Sequence, residues 1–398
     1  MKKYLYTVVI FFAAITSCQC LQAQADSTPL LKTYRVGIFA PLYLDSVFSN
    51  TGAFRYKDGI PKFIMPAVDF INGVQIGLDS FKTDDAHIEA FIYDTRSYTE
   101  PLSSLIKNKQ LTQLDLIIGS VRDIDYRQLA DLALAQNIPF ISATYPNDGG
   151  ITANPNVVIL NSTLKAHCEA IYSYILQNHG TDKIYLCRKK GGQEDKVANY
   201  FKAMNEQDGK PLLQIQTLNF DSTVSVALLK ATIDSNRQSV IIGGSLDEKF
   251  AIYLTNSCYS LYQKYPLTLI GMPNWDGFKG LLKPDTYQDF PVYFTTPYYN
   301  AKTDAKSKIL IDAYARRLKG KPTDFAFKGF ECVQLFVKLL AGHPADFMKH
   351  LNDKNNKVFT DYNFRPVSLT KNSGITDYIE NKHLYFIRIL NGSMYKAW

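Results

Sequence analysis

Ser120 and Arg122 stand two residues apart in LIIGSVRDID (Leu116–Asp125), where an apolar run stops at Gly119 and turns abruptly polar. A hydroxyl can donate or accept a hydrogen bond, and a guanidinium can hold a carboxylate in a bidentate fork. Asp125 and Gln128 have the spacing of a capping box, which predicts a helix from there through Ala135. The first N–H groups of such a helix are unpaired and favour an anion. The chemistry on offer is recognition of a small polar or anionic group.

Signals for bond-making chemistry are weak. No GxSxG, HExxH, P-loop or GxGxxG motif occurs. Ser104 to Lys107 and Ser162 to Lys165 match SxxK, but four-residue matches arise by chance, and neither SDN nor KTG accompanies them. The six histidines show no ligand spacing, and His167 and Cys168 are helical neighbours that do not face one another. The expectation is a protein that is not an enzyme and uses no metal and no cofactor.

The N-terminus, MKKYLYTVVIFFAAITSCQCLQAQADS, carries Lys2 and Lys3 ahead of an apolar run from Tyr4 to Ile15. That run is too short to span a bilayer and predicts an export signal over residues 1–25. Two processing sites compete: Ala23-Gln24-Ala25 has the small-x-small form, and Ile15-Thr16-Ser17-Cys18 resembles a lipobox with Cys18 lipidated. Cleavage after Ala25 removes two lysines and no acid, lowering the net charge from +7 to +5. The remaining cations are scattered, apart from a short cluster in CRKKGGQEDK (Cys187–Lys196) that acids follow at once. A nucleic-acid groove is therefore not expected. Cys168, Cys187, Cys258 and Cys332 are far apart without CxxC spacing, and buried free thiols are the simplest reading.

The elements that must position these residues alternate. YRVGIFAPL, IEAFIYDT, DLIIGS and NIPFISAT are strand-like, and helical patterns lie between them. Such alternation implies parallel pairing, and strands apolar on both faces suit a sheet covered by helices on each side. YPNDGGITANPN (Tyr145–Asn156) interrupts the rhythm, after which VVILN, KIYLC, LLQIQTLNF, SVIIGGS and LTLIGMP repeat it. The chain is long enough for two such α/β units. The tail reads as a β-hairpin turning at Asn391-Gly392.

The order VGIFAPL, NGVQIGLDSF, YDT, IIGS, NIPFISAT, IIGGS, LIGMP and FKGFECVQLFVKLL resembles the type 1 periplasmic binding proteins, nearest the branched-chain amino-acid-binding receptors of ABC transporters. The likeness runs from about Tyr34 to the C-terminus. It implies two Rossmann-like lobes with parallel sheets, joined by three crossings, with a small ligand in the cleft between them. The implied first lobe is residues 34–156 plus 298–350, and the second is 157–296 plus 359–398. Crossings are expected near YPNDGG to TANPN, at FTTPYYN and at FTDYNFRPV.

The resemblance also implies a site. Family members bind an amino-acid backbone at positions that fall here on Ser120, Ala143 and Thr144. From the opposite lobe, GGSLDE supplies Ser245 and Leu246 where relatives have an aromatic, and GMPNWDG supplies Asn274 and Trp275 where relatives have a Glu, with Asp276 one step away. Trp275 could stack on a ring or sugar. Tyr43, Asp45 and Phe48 in the first loop, and Tyr298 and Tyr299 near the second crossing, could line the cleft. These departures leave the ligand class open. The implied function is an exported solute-binding receptor that closes by hinge motion and serves an ABC permease. The rival expectation is an envelope lipoprotein of the same fold, acting on a cell-envelope protein of wall synthesis and touching the membrane only through a lipid on Cys18.

Overall fold

The computed structural model describes residues 31–57, 59–81, 86–221, 223–370 and 374–397. The export segment, with Cys18 and the cleavage site after Ala25, lies outside the described residues. No helix among the described residues is long and apolar enough to cross a membrane.

The chain opens with β1 (Lys32–Ala40), β2 (Ala86–Asp94), β3 (Leu116–Gly119), β4 (Phe140–Ser142) and β5 (Val157–Ile159), with helices Met65–Ser80, Leu102–Lys107 and Asp123–Gln136 between them. It continues through β6 (Lys183–Lys189), a small hairpin of β7 (Glu206–Gln207) and β8 (Lys210–Pro211), then β9 (Ile215–Phe220), β10 (Ser239–Gly243), β11 (Leu267–Ile270) and β12 (Val292–Thr296). Helices Ala305–Leu318 and Asp324–Cys332 follow, and the tail forms β13 (Phe364–Val367), β14 (Tyr378–Asn381), β15 (Tyr385–Leu390) and β16 (Ser393–Lys396).

Two seven-stranded sheets result, ordered β13-β14-β5-β4-β3-β1-β2 and β16-β15-β12-β11-β10-β6-β9. Pairing is parallel except at the edges, where β13–β14, β12–β15 and β15–β16 are antiparallel. Every residue of β3 and β10 is buried, as helices on both faces require. This is the two-lobed α/β architecture that the order of segments implied. The tail hairpin turns at Asn391 and Gly392, both with positive φ (49° and 73°), as a tight two-residue turn demands.

Sheet membership departs from the expected division at two places. Val157–Ile159 pairs with β4 and belongs to the first sheet, so the chain leaves that lobe only after residue 159. Strands β13 and β14 also join the first sheet, because β14 runs parallel to β5; only β15 and β16 extend the second. FTDYNFRPV therefore leads into β13, and the last crossing is the short link between β14 and β15. The segment before β13 is held by Glu331, a buried carboxylate that accepts from the N–H groups of Phe359 and Thr360, the Thr360 hydroxyl and the Tyr362 hydroxyl.

The capping box is also corrected. The helix starts at Asp123, not Asp125. Asp125 is buried in its first turn and pairs with Arg96 at 3.2 Å, and burial pushes its carboxyl pKa up. Helices Met65–Ser80 and Asp324–Cys332 pack backbone to backbone: a Cβ on Gly73 would strike the Ala326 carbonyl, and one on Gly329 the Phe70 carbonyl. Cys168, Cys187, Cys258 and Cys332 are buried free thiols, and burial raises the pKa of each.

Candidate functional site

The strand order of the first sheet reverses between β1 and β3, and Ser120 follows β3 at that switch point. Such points are where open parallel sheets take ligands. Here the local donors are largely engaged. The Ser120 N–H donates to Phe39 and the Ala143 N–H to Gly119, both within the sheet. Across the neighbouring loop, the Asp94 carboxylate accepts from the N–H groups of Leu42, Tyr43, Leu44 and Arg96. The protein's own carboxylate thus takes up the free N–H groups of this neighbouring loop. Ser120 and Thr144 are brought together, their hydroxyls 3.1 Å apart, and the Thr144 carbonyl accepts from the Asn161 amide at 2.7 Å.

A pocket of about 320 Å³ opens next to this corner, within the size range of small-ligand sites. The loops after β4 and β5 supply Pro146, Asn161 and Ser162, and the following helix supplies Leu164 and His167. The loops after β10 and β11 supply Leu246, Asn274 and Asp276, the end of β12 supplies Thr295 and Thr296, and Lys328 enters from the helix packed on the first lobe. Both lobes therefore wall the pocket.

His167 forms part of its floor. Its Nδ1 lies 2.7 Å from the Thr295 hydroxyl, and burial lowers its pKa to about 3, so it is neutral at ordinary pH. Asn274 donates to the Leu246 carbonyl at 2.7 Å, while its Oδ1 has no hydrogen-bond partner. The two charged groups are Lys328 and Asp276. Desolvation lowers the pKa of Lys328 and raises that of Asp276. Asp276 is open to water yet surrounded by protein on several sides, as a concave site allows. The Lys328 ammonium sits over the rings of Tyr298 (5.6 Å) and Phe325 (5.8 Å). Opposite charges in one partly desolvated pocket suit a ligand that carries both an anionic and a cationic group.

Of the residues singled out in the sequence for the cleft, Leu246, Asn274 and Asp276 line this pocket. Tyr298 is its neighbour through Lys328, and burial pushes its phenol pKa up. Ser120, Ala143 and Thr144 stand beside it rather than in its lining. Others are corrected. Trp275 is fully buried and cannot stack on a ligand: its ring fills the space over Gly243 and Gly271. Ser245 is buried and donates to Glu194 at 2.6 Å. The Arg122 side chain is 75% exposed, pairs with its neighbour Asp123 at 3.7 Å and does not line the pocket.

In the first loop, Tyr43 packs edge-on against Phe63, and Phe48 against Phe54. Asp45 accepts from Ser97, Tyr98 and Thr99, which lowers its pKa to about 2. Tyr299 packs on Tyr385. Lys328 carries no site motif in the sequence; its one cue is a cation inside the largely apolar stretch FKGFECVQLF.

Comparison with known proteins agrees with this architecture. The chain is similar in fold to a branched-chain amino acid ABC transporter protein of Rhodospirillum rubrum (TM-score 0.66, 11% identity, 92% of this chain and 100% of the other). It is similar also to a Burkholderia xenovorans branched-chain amino acid ABC transporter ligand-binding protein (TM-score 0.58, 13% identity, 89% and 90%). A third is a branched-chain amino acid transporter substrate-binding protein of Streptococcus pneumoniae, solved with isoleucine (TM-score 0.51, 16% identity, 91% and 98%). No curated protein sequence matches the chain. The periplasmic binding protein family model matches residues 66–354, most of the described chain, and this protein belongs to that family.

Proposed function

We propose that this chain is an exported solute-binding receptor that captures a small amino-acid-like ligand between its lobes and passes it to an ABC-type permease. The observation that carries this reading is the pocket shared by both lobes, with Lys328 on one side and Asp276 on the other. Neither is ion-paired among the described residues, so each has charge to offer a ligand. Lys328 would meet a carboxylate and Asp276 an ammonium, with Asn274 supplying a neutral contact and Ser120 and Thr144 flanking the entrance. A ligand touching both lobes binds the closed form better than the open one, so it draws the lobes together by hinge motion. Bound ligand raises stability by mass action, by about 2.7 kcal/mol at a hundredfold excess over Kd. A thermal-shift series over amino acids, short peptides and sugars tests this, and an unchanged Tm across the whole panel would sink the reading.

The loop between β1 and the helix Met65–Ser80 supports a second reading, an envelope lipoprotein that docks on another protein. Leu44, Phe48, Phe54, Ile60 and Phe63 are all exposed there, a grouping more typical of a contact surface than of a bare one. Mass spectrometry of the mature N-terminus bears on it: diacylglycerol on Cys18 favours an anchored protein, and a free N-terminus after Ala25 removes that support.

A further inference from the structure

His343, Asp346 and His350 meet at the other end of the first lobe. His343 closes the helix Lys338–Gly342, Asp346 precedes the 3-10 turn Phe347–His350, and His350 ends that turn. Their potential ligand atoms all lie within 4.8 Å of one another. The two imidazoles are stacked, with centroids 3.6 Å apart and planes inclined by 16°. Asp346 reaches both rings, at 3.3 Å from Nε2 of His350 and 4.0 Å from Nδ1 of His343. The turn is anchored, since Phe347 and Leu351 are buried in the core and the His343 N–H donates to the Leu339 carbonyl at 2.8 Å.

The contacts of His350 need explaining. Its Nδ1 lies 2.7 Å from the Asp353 carboxylate, which fixes the proton on that nitrogen. Nε2 of the neutral ring then points a lone pair at the Asp346 oxygen, and two acceptors face each other. Only a proton or a cation between them makes that contact favourable. A divalent ion placed among these atoms meets both the Asp346 carboxylate and the imidazole nitrogens. It takes both imidazoles as neutral ligands and the Asp346 carboxylate as the third.

We propose that His343, Asp346 and His350 form a binding site for a borderline divalent transition ion of the zinc class, with Asp353 orienting His350. Two imidazoles and a carboxylate are the donor set of such ions, and a fourth position stays open to water or a partner's side chain. With metal–ligand bonds of about 2.0–2.2 Å, adjacent ligands of a tetrahedral ion lie about 3.3–3.6 Å apart. The Asp346–His350 separation of 3.3 Å already meets this, while the 4.0 Å separation to His343 requires the stacked rings to tilt so that their nitrogens turn toward one point. A carboxylate on the far nitrogen of a ligating histidine is the usual outer-shell partner.

The site is separate from the ligand pocket. A surface cleft lined by Asp346 and Phe347 is shared with Lys32, Asp115, Pro139 and Asn156, which precede or begin β1, β3, β4 and β5. It therefore lies at the amino ends of these strands, whereas the ligand pocket lies beyond their carboxyl ends. The histidines show no ligand spacing in the sequence because the three residues span a helix end and a 3-10 turn, not one face of a helix.

The test uses untagged protein stripped with chelator and titrated with Zn²⁺ by calorimetry. One equivalent is expected to bind and to raise Tm, and Co²⁺ in its place is expected to give the visible band of a four-coordinate ion. His343→Ala and His350→Ala should abolish both signals, and Asp353→Asn should weaken binding about 10–100-fold. Lys328→Met should bind zinc as the unaltered protein does. Circular dichroism of the metal-free variants checks folding, and His343→Gln and His350→Gln replace any alanine variant that fails it. No stoichiometric binding by the unaltered protein, or equal binding by folded variants lacking either histidine, overturns the proposal.

Discussion

The indole N–H of Trp275 donates to the backbone carbonyl of Ser245 at 3.0 Å, across 30 residues of chain. This bond joins the loop after β10 to the loop after β11, the two that bring Leu246, Asn274 and Asp276 to the pocket. The indole lies where Gly243 and Gly271 leave no side chain, and either position would clash with it if it carried a Cβ. Trp275 is thus a positioning residue. Trp275→Ala should cost about 3–5 kcal/mol in stability, the usual range for emptying a large buried site. Trp275→Phe should cost less but leave the Ser245 carbonyl unpaired. Urea denaturation of both variants checks the order, and a Trp275→Ala protein as stable as the parent would contradict this packing.

Lys328 and Asp276 are expected to act on affinity rather than on folding. Lys328→Met removes a partly desolvated ammonium and Asp276→Asn a partly desolvated carboxylate, and each should leave Tm unchanged or raise it. Each should weaken binding of a zwitterionic ligand by about tenfold or more, since a hydrogen bond to a charged group contributes about 1.5–3 kcal/mol. Calorimetry on the best ligand of the thermal-shift panel reads both. Equal affinity in the parent and both variants would remove these residues from the site.

The raised pKa of Asp276 sets a pH dependence with two opposite signs. Desolvation penalises its charged form in the folded protein. Without ligand, that penalty is present above the raised folded pKa and is relieved as pH falls through it. Ligand binding needs the carboxylate, so affinity falls over the same interval. Acidification should therefore weaken ligand binding while Asp276 itself ceases to destabilise the free protein. Affinity measured against pH for parent and Asp276→Asn isolates this contribution, because the variant should lose that part of the slope.

Much of the fold was legible because parallel strands buried on both faces leave a local mark. LIIG, VVI and, apart from Ser239, SVIIG are apolar throughout and separated by helical stretches. Which sheet a strand joins leaves no such mark. Val157–Ile159 reads the same whether it ends one lobe or begins the next, and only its pairing with β4 and β14 decides. FRPV and YIEN carry charged residues and join the first sheet only through YIEN, whose partner β5 lies some 220 residues earlier, a pairing that leaves no local mark. The site was less legible for the same reason. Trp275 in a loop looks free to stack until the glycines beneath it are brought together. Lys328 gains its meaning only when its helix packs backbone to backbone against Met65–Ser80, through Gly329 on Phe70 and Gly73 on Ala326.

That glycine contact yields a further prediction. Gly329 lies next to Lys328, and an added Cβ would meet the Phe70 carbonyl. The obstacle is backbone on both sides, so no rotamer change relieves it and the helices must separate. Gly329→Ala should destabilise by about 1–3 kcal/mol or more, as overpacking of a tight interface does. It should also weaken ligand binding, because Lys328 moves with its helix. A Gly342→Ala control, at a helix end where an added Cβ meets nothing, should do neither.

Asp45 gives the last pH test, with the sign opposite to that of Asp276 in the free protein. Its carboxylate gathers the backbone N–H groups of Tyr98 and Thr99 and the hydroxyls of Ser97 and Thr99, and its pKa falls to about 2. A depressed folded pKa means stability that is present above the unfolded value, near 3.8, and lost as pH falls from there toward 2. Asp45→Asn keeps the size of the side chain but has one acceptor oxygen where the carboxylate has two. It should loosen residues 97–99, which hydrogen exchange at Tyr98 and Thr99 would report. Its stability should also lose the part of the acid dependence that the parent shows below about pH 4. If exchange at those amides and the acid limb of the stability curve are both unchanged in Asp45→Asn, the side chain does not organise this loop and becomes available as a cleft residue after all.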